Sequence, residues 1–597
     1  MRSDKIIQKK NMKQFFKMMF ASALGVFVAV VLISILMIFS LVGIAAGMGG
    51  SSTYTPKSNT VYKLTLDGSL SDNVQENPFA SLMGEGENAL SLKDVLSTIR
   101  KAKDNDNIKG IYLEAKSLGA GSASIAAIRR ELKDFKESGK FVVAYSDNYT
   151  QGCYFLCSVA DKVFLNPQGT LGLAGMASQT TFYKELLKKV GVEMMIFKVG
   201  TYKGAVEPFM LDKLSDANRE QIQSYMNSIW GNIVAGIAES RGLSADDVNN
   251  FANQGYAFAP AEKAVECGFV DELKYRTEAE DYVKELAGQD DDHLKTADIS
   301  KIKNIKTSEK EKSDRIAILY AEGEIKDEQP TSPFGAGQII TEKLADELIK
   351  LKDDDDVKAV VFRVNSPGGS AFVSDQIWRQ VVELKKVKPI VVSMGDVAAS
   401  GGYYISCAAS KIIAEPNTLT GSIGIFGMFP NTSGLYDKIS LTTDVVKTNT
   451  YADLGDMSRP MRDDEKILIQ SHVEKGYDTF ITRCADGRGM TKEAINEIGQ
   501  GRVWTGEQAK ERGLVDELGG IDKAIETAAT LADVSDYSLE YVSGSKDFFE
   551  ELLEKQLEGI KLSLVESVVG SEYFKTFNTI KSSTGIQARL PYDVKPL

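Results

Sequence analysis

Apolar and polar positions follow three different rhythms along this chain. Near the N-terminus the rhythm is unbroken: "MMFASALGVFVAVVLISILMIFSLVGIAAGMGG" (18–50) is followed by no charge until Lys57. A membrane-spanning helix needs about 20 apolar residues, whereas the apolar part of a cleavable signal runs to about 7–15. The stretch therefore predicts a retained anchor over 18–48, with the small residues from Ala45 to Gly50 leaving cleavage as the alternative. Further on, short apolar runs alternate with segments of helical spacing. "KAVVFRV", "PIVVSM" and "KIIAEP" read as buried strands. "SDQIWRQVVELKKV" reads as an amphipathic helix capped by Ser374 or Asp375, and "SGGYYISCAA" as a second helix. Strand–helix–strand order predicts an α/β fold with a mostly parallel sheet and right-handed crossovers. The third rhythm is charged: 288–314 is poor in aromatics and reads as a linker, partly helical. From about Asp547, "FFEELLEKQLEGIKLSLVESVVG" reads as an amphipathic helix within a C-terminal tail, 541–597.

Charge sharpens the reading of the N-terminus. Residues 1–17 carry +5 and the whole chain −13, so the remainder carries −18. Lysines ahead of the anchor keep the N-terminus cytoplasmic, which places the acidic body across an inner membrane crossed once. That acidity argues against a nucleic-acid partner. Five cysteines (Cys153, Cys157, Cys267, Cys407, Cys484) make an odd number in a large chain and read as buried thiols rather than a disulfide framework. Two histidines are too few for a histidine-based zinc site, and neither a metal nor a cofactor is expected.

The chain repeats itself. "VVAYSDNYTQGCYFLCSVADKVFLNP" from Val142 aligns without a gap on "VVSMGDVAASGGYYISCAASKIIAEP" from Val391, an offset of 249. The same offset places "IKGIYLEAKSLGAGS" from Ile108 over "VKAVVFRVNSPGGSA" from Val357, and "KVGTY" at Lys198 over "KTNTY" at Lys447. A period this long marks a duplicated domain, with copies over 55–287 and 315–540, rather than a solenoid.

The copies differ where chemistry is at stake. Opposite Ser400 stands Gln151, which cannot become an alkoxide; opposite Lys203, in "VGTYKGAVEPF", stands Ala452. Reciprocal loss suggests one two-residue site divided between the copies, the alternative being drift at two surface positions. His293 lies in the acidic linker and His472 in a plain helical pattern, so a Ser-His-Asp arrangement has little to recruit. Lysine replaces histidine as a base when desolvation keeps it neutral. Tyr202, Ala205, Val206, Pro208 and Phe209 can supply a dry wall, provided Glu207 faces elsewhere. The glycines of "NSPGGS" (365–370) let backbone N–H groups turn inward, and the N–H of Gly401 offers a second donor for an oxyanion. That turn lacks the lysine and spacing of a phosphate loop. Ser422, in "TLTGSIGIFG", can orient the lysine amine or simply shape a turn.

Together "GTYKGAVEPF", "NSPGGS", "MGDVAASGGYYIS" and "LTGSIGIFG" resemble the long, duplicated form of the signal peptide peptidase A (protease IV) family, over about residues 55–540 and the N-terminal anchor. The resemblance implies two tandem ClpP/crotonase-like domains of parallel-sheet ββα repeats. It implies Ser400 as nucleophile, Lys203 as general base, Ser422 steadying the lysine, and Gly369 and Gly401 as backbone oxyanion donors. It further implies hydrolysis of signal peptide remnants and other unfolded peptides by a membrane-anchored serine endopeptidase. A bowl-like homotetramer with inward-facing sites is also implied. The alternatives are a crotonase-like acyl-CoA enzyme, which would want a carboxylate base, and a non-catalytic membrane-tethered scaffold.

Overall fold

A computed structural model of the chain describes residue 25 and residues 53–74, 89–306, 312–327, 339–542 and 585–589. Apart from Gly25, the anchor expected over 18–48 lies outside the described residues, as does the amphipathic helix expected from about Asp547. Among the described residues no helix is long and apolar enough to cross a membrane. One large unit (Pro56–Gln75, Glu87–Lys303 and Thr307–Leu597) holds both repeats. A small unit (Met1–Thr55, Glu76–Gly86 and Asn304–Lys306) contributes a parallel bridge between Tyr54 and Ile305.

Each repeat is built on its own parallel sheet. In the first, strands Thr60–Ser71, Ile108–Gly119, Phe141–Ser146, Lys162–Leu165 and Glu272–Leu273 pair in that order. In the second, Arg315–Glu322, Val357–Ser366, Ile390–Ala399, Lys411–Ala414 and Glu517–Leu518 repeat the order strand for strand. The apolar runs belong to strands covered on both faces. Val360, Phe362 and Val364 point into the main core, while Ala359 and Val361 meet the helix Ile521–Ala532 on the other side.

The helix expected from Ser374 begins earlier, spanning Ala371–Lys385. Its cap is Ser370, whose hydroxyl accepts the N–H of Val373; Ser374 sits one turn inside and donates back to the Ser370 carbonyl at 2.7 Å. Within the charged segment 288–314, the described residues include a short strand and a helix. Thr296–Ala297 adds a parallel edge to Thr60–Ser71, followed by a short helix, Ile299–Lys303. Beyond 540, Ser538–Val542 forms the edge of the second sheet and Gly585–Arg589 forms a separate strand. All five cysteines are free, and four are buried.

A third sheet draws on both repeats. Glu193–Lys198 of the first pairs antiparallel with Phe426–Asn431 of the second, Lys198 opposite Phe426 and Glu193 opposite Asn431. Leu187, Met194, Val206 and Phe209 pack there against Phe426 and Met428. Elsewhere the seam between repeats is polar. Arg130 grips Glu415 with two hydrogen bonds, at 2.7 and 2.8 Å, and Asn232 donates to Asn417 at 2.7 Å. Asp396 accepts the backbone N–H and hydroxyl of Ser124 at 2.8 and 2.6 Å, capping the other repeat's helix Ser122–Lys136 where Gly121 has no side chain to do so. A Cβ on Gly121 would lie 2.1 Å from the Asp396 carboxyl carbon.

Buried Arg363 closes the seam, donating to Asp72 at 2.7 Å and also to Ser393 and the Met394 carbonyl. Removing one member of such a pair strands the other charge, at a cost of about 3–5 kcal/mol. Arg363→Met is expected to lower the calorimetric unfolding temperature by several degrees. Adding Asp72→Asn should recover part of that loss; equal melting of Arg363→Met and the parent protein would show that the pair contributes nothing.

Candidate active site

The strand Ile390–Ala399 runs directly into Ser400, whose φ of 56° and ψ of −113° are uncommon for a residue with a side chain. Such a conformation costs about 1–3 kcal/mol and persists only where its surroundings hold it. Here the N–H of Ser400 donates to the Gly421 carbonyl at 2.8 Å, and its carbonyl accepts from Tyr404 N–H at 2.8 Å. The two glycines and two tyrosines that follow have separate tasks. A Cβ on Gly402 would stand 2.6 Å from the Ser366 carbonyl, so the helix Gly401–Ser406 can rest on the end of the neighbouring strand Val357–Ser366 only with glycine there. Tyr403 then anchors the helix to the Leu514 carbonyl at 2.9 Å, and Tyr404 to Asp375 at 2.7 Å.

Lys203 arrives from the other repeat. Past the shared strand Glu193–Lys198, Val199 and Tyr202 donate their N–H groups to the carbonyls of Ile425 and Gln500. Gln221 fastens both sides, donating to the Tyr202 carbonyl and accepting from Val503 N–H. The lysine then passes two glycines of the second repeat. A Cβ on Gly424 would lie 3.2 Å from Lys203 Cδ, and one on Gly501 (φ +83°) 2.6 Å from Lys203 N.

The amine ends 2.8 Å from Ser400 Oγ, 3.1 Å from Ser422 Oγ and 3.2 Å from the Ser422 carbonyl. Lys203, Ser400 and Ser422 are all fully buried. Burial alone pulls the Lys203 ammonium well below the ordinary lysine value. Glu207 faces elsewhere: its carboxylate accepts from Ser215 N–H, Ser215 Oγ and Asn218 Nδ2 at 3.1, 2.5 and 3.0 Å. A neutral amine has two N–H bonds and one lone pair. Ser422 can take the first two, leaving the lone pair for the Ser400 hydroxyl.

The structure thus brings Lys203, Ser400 and Ser422 of one chain into direct contact, with Gly401 adjoining. Gly369 lies on the strand Gly368–Ser370, beside the helix that Ser400 opens, at φ +151°, where a Cβ would land 2.0 Å from the Ile325 carbonyl. His293 and His472 are both exposed. At the corresponding place in the first repeat, Gln151 Oε1 accepts the N–H groups of Ala174 and Gly175 at 3.3 and 2.9 Å. Ala452 is exposed. Sequence reasoning missed Gln221, Gly424 and Gly501. The "GQGR" turn at 499–502 was the available signal, although its partner lies in the other repeat.

Comparison with known proteins agrees with this architecture. The sequence model of peptidase family S49 matches residues 134–290 and 382–535, once in each repeat, and that of the Clp protease matches 311–420. Protease 4 of Salmonella typhi is 35% identical over 528 residues, covering 87% of this chain and 82% of its own. Serine protease SPPA, chloroplastic, of Arabidopsis thaliana is 34% identical, covering 80% of this chain and 70% of its own. A putative signal peptide peptidase SppA of Enterococcus faecium is 32% identical over 260 residues, covering 43% of this chain and 76% of its own. With its family matched in both halves, the chain is a serine protease and belongs to peptidase family S49.

Proposed function

We propose that Ser400 and Lys203 form the catalytic dyad of a membrane-anchored endopeptidase that hydrolyses released signal peptides and other unfolded peptides. The observation that carries this reading is the 2.8 Å contact between a desolvated amine and the hydroxyl of a serine with a strained backbone, with no carboxylate at the amine among the described residues. Ser400 Oγ attacks the peptide carbonyl while its proton passes to Lys203 Nζ. The N–H groups of Gly369 and Gly401 stabilise the oxyanion that develops. Collapse breaks the C–N bond, Lys203 returns the proton to the leaving amine, and an acyl ester remains on Ser400. Water then gives a proton to Lys203 and attacks the acyl carbon; the ester C–O bond breaks, the acid leaves, and Lys203 returns the proton to Ser400 Oγ. Ser422 is a positioning residue, holding the amine's hydrogens so that its lone pair meets Ser400.

The substrate class rests on the names borne by the relatives. The basic N-terminus and the long apolar run support a retained anchor in an inner membrane, with the catalytic body outside the cytoplasm. An acyl-CoA enzyme would want a carboxylate where this site has an amine, and a scaffold would have no use for a strained serine. The homotetramer rests on the family resemblance, and an apolar stretch that lies open on the second repeat supports a contact between copies. Ile439, Leu441, Val445 and Val446 are all exposed, Val446 at 99%.

Five measurements test this reading. A fluorophosphonate is expected to label Ser400 and not Ser400→Ala. Lys203→Ala should lower kcat by about a thousandfold or more, with the double variant hardly worse, because the two act as a unit. The neutral amine is the active form, so kcat/KM should rise with pH through the lowered lysine pKa and level off well short of the ordinary lysine range; a rise continuing to pH 10 would contradict a desolvated base. Gly501→Ala, strained at positive φ and crowding Lys203 N, should cut kcat by at least about tenfold through misplacement of the amine, with a loss of melting temperature smaller than that of Arg363→Met. Light scattering should report a tetramer for the parent and smaller species for Val446→Glu; unchanged mass would remove this stretch from the interface.

A further inference from the structure

Next to the buried amine along the chain, rings and cations alternate across the seam. The guanidinium carbon of Arg502 lies 4.6 Å from the centre of the Tyr202 ring and 4.3 Å from that of the Trp504 ring, and that of Arg512 lies 3.8 Å from the same indole. Hydrogen bonds lock the first contact. Arg502 Nη1 donates to Tyr202 Oη at 3.0 Å and Nη2 to Glu220 Oε1 at 2.7 Å, while Tyr202 Oη donates to Glu220 Oε2 at 3.2 Å. Tyr202 and Glu220 belong to the first repeat and Arg502 to the second, so the three bonds close a ring between the halves. The shift that lays Gly513 over Gly268 lays Arg502 over Ala257, Trp504 over Ala259 and Arg512 over Cys267. The first copy, with Gln151 in place of a serine, lacks these side chains too.

Arg502 meets the amine's surroundings from two directions. Its fork grips Tyr202, the residue directly before Lys203, and its carbonyl accepts the N–H of Ser422 at 2.7 Å. Val503 pairs with Gly421, whose carbonyl holds Ser400, and Trp504 covers Gly421 so closely that a Cβ there would stand 2.9 Å from the indole Cδ1. Between Tyr202 and Lys203 the chain passes from partly to fully buried. A guanidinium fixes a tyrosine twice, by donating to its hydroxyl and by stacking on its ring; lysine offers a single point charge in place of both. Charge is not the means here, because Glu220 answers the cation and burial is the one cause that lowers the amine. What Arg502 supplies is position.

We propose that Arg502 is a positioning residue for the peptidase reaction: its fork, closed with Tyr202 and Glu220, seats the arm so that Lys203 and Ser422 meet in a slot shut to water. This rests on the peptidase reading given above. The paired strands bring the arm to the second repeat, and the fork sets the last residue before the lysine. Without it the Tyr202 ring is free to swing toward solvent and water follows the arm to the amine. The proton equilibrium of Lys203 then drifts back toward the ordinary lysine value.

Arg502→Met and Arg502→Lys, each in the full chain, test this. Both remove the fork, and the lysine keeps the charge. Each should lower kcat on a short internally quenched peptide by at least about tenfold, with KM within about twofold. Each should also move the rise of kcat/KM to higher pH by at least about half a unit, since a wetter amine holds its proton more strongly. Tyr202→Phe, which keeps the ring but loses the hydroxyl's two hydrogen bonds, should move both in the same direction by less. A lower melting temperature with an unmoved pH profile would make the ring of bonds a mere bolt between the halves and overturn the proposal. A second readout needs no turnover. In a Ser400→Ala background, Arg502→Met should speed backbone hydrogen exchange across 199–206 and 419–425 by at least about tenfold and leave the helix Ser122–Lys136 unchanged. Full activity of Arg502→Lys, or hydrolysis by every variant with equal exchange, overturns the positioning role and leaves the peptidase reading intact. Absence of hydrolysis throughout, parent included, with the exchange difference preserved, overturns the peptidase reading and keeps Arg502 as the seat of the arm.

Discussion

Everything chemical in this molecule depends on a six-residue antiparallel pairing between the two halves of the chain. Glu193–Lys198 hydrogen-bonds to Phe426–Asn431, and five residues later the chain delivers Lys203 into the second repeat. A lysine amine has a strong preference for water, and no side-chain hydrogen bond seen here would hold it in a dry slot unaided. What holds it is the backbone, sewn strand to strand, together with the apolar packing of Met194, Val206 and Phe209 on Phe426 and Met428. The penalty for burying the amine is thereby spread over a sheet edge and a small core, and burial in turn pulls its pKa well below the ordinary lysine value.

The partners of that amine are equally constrained. Ser400 and Ser422 both have positive φ, at 56° and 50°. Each is held by a short backbone contact: Ser400 N–H to the Gly421 carbonyl, and Ser422 N–H to the Arg502 carbonyl at 2.7 Å. The strain is local and the support is distant, since Arg502 follows the Gln500–Gly501 turn that also receives Tyr202. One turn in the second repeat thus fixes the entry of the lysine and the residue that steadies it.

Much of this could be read in the sequence because duplication preserves pattern. Parallel strands buried on both faces leave continuous apolar runs, and two copies in register made Gln151 and Ala452 visible as mismatches. The identities of Ser400 and Lys203 followed from comparing the chain with itself. Their separation could not follow, because strand periodicity says nothing about which edge meets which. The shared sheet, the glycine slot at Gly424 and Gly501, and the tail strand all rest on pairings between residues far apart in sequence. The start of the helix at Ala371 was misplaced for a local reason. Ser370 ends a glycine turn and caps the helix at once, so its hydroxyl outranks that of Ser374.

The seam between repeats is polar over the body and apolar only at the lysine arm, where Phe197 also joins the main core of the second half. Two genes' worth of structure therefore answer to a single catalytic output. Neither half can be improved or damaged in isolation, and selection acts on both at once. A change in Glu193–Lys198 finds its compensation in Phe426–Asn431 rather than among its neighbours in sequence. Duplication gave each half a sheet of its own, but the meeting of amine and hydroxyl belongs to neither alone.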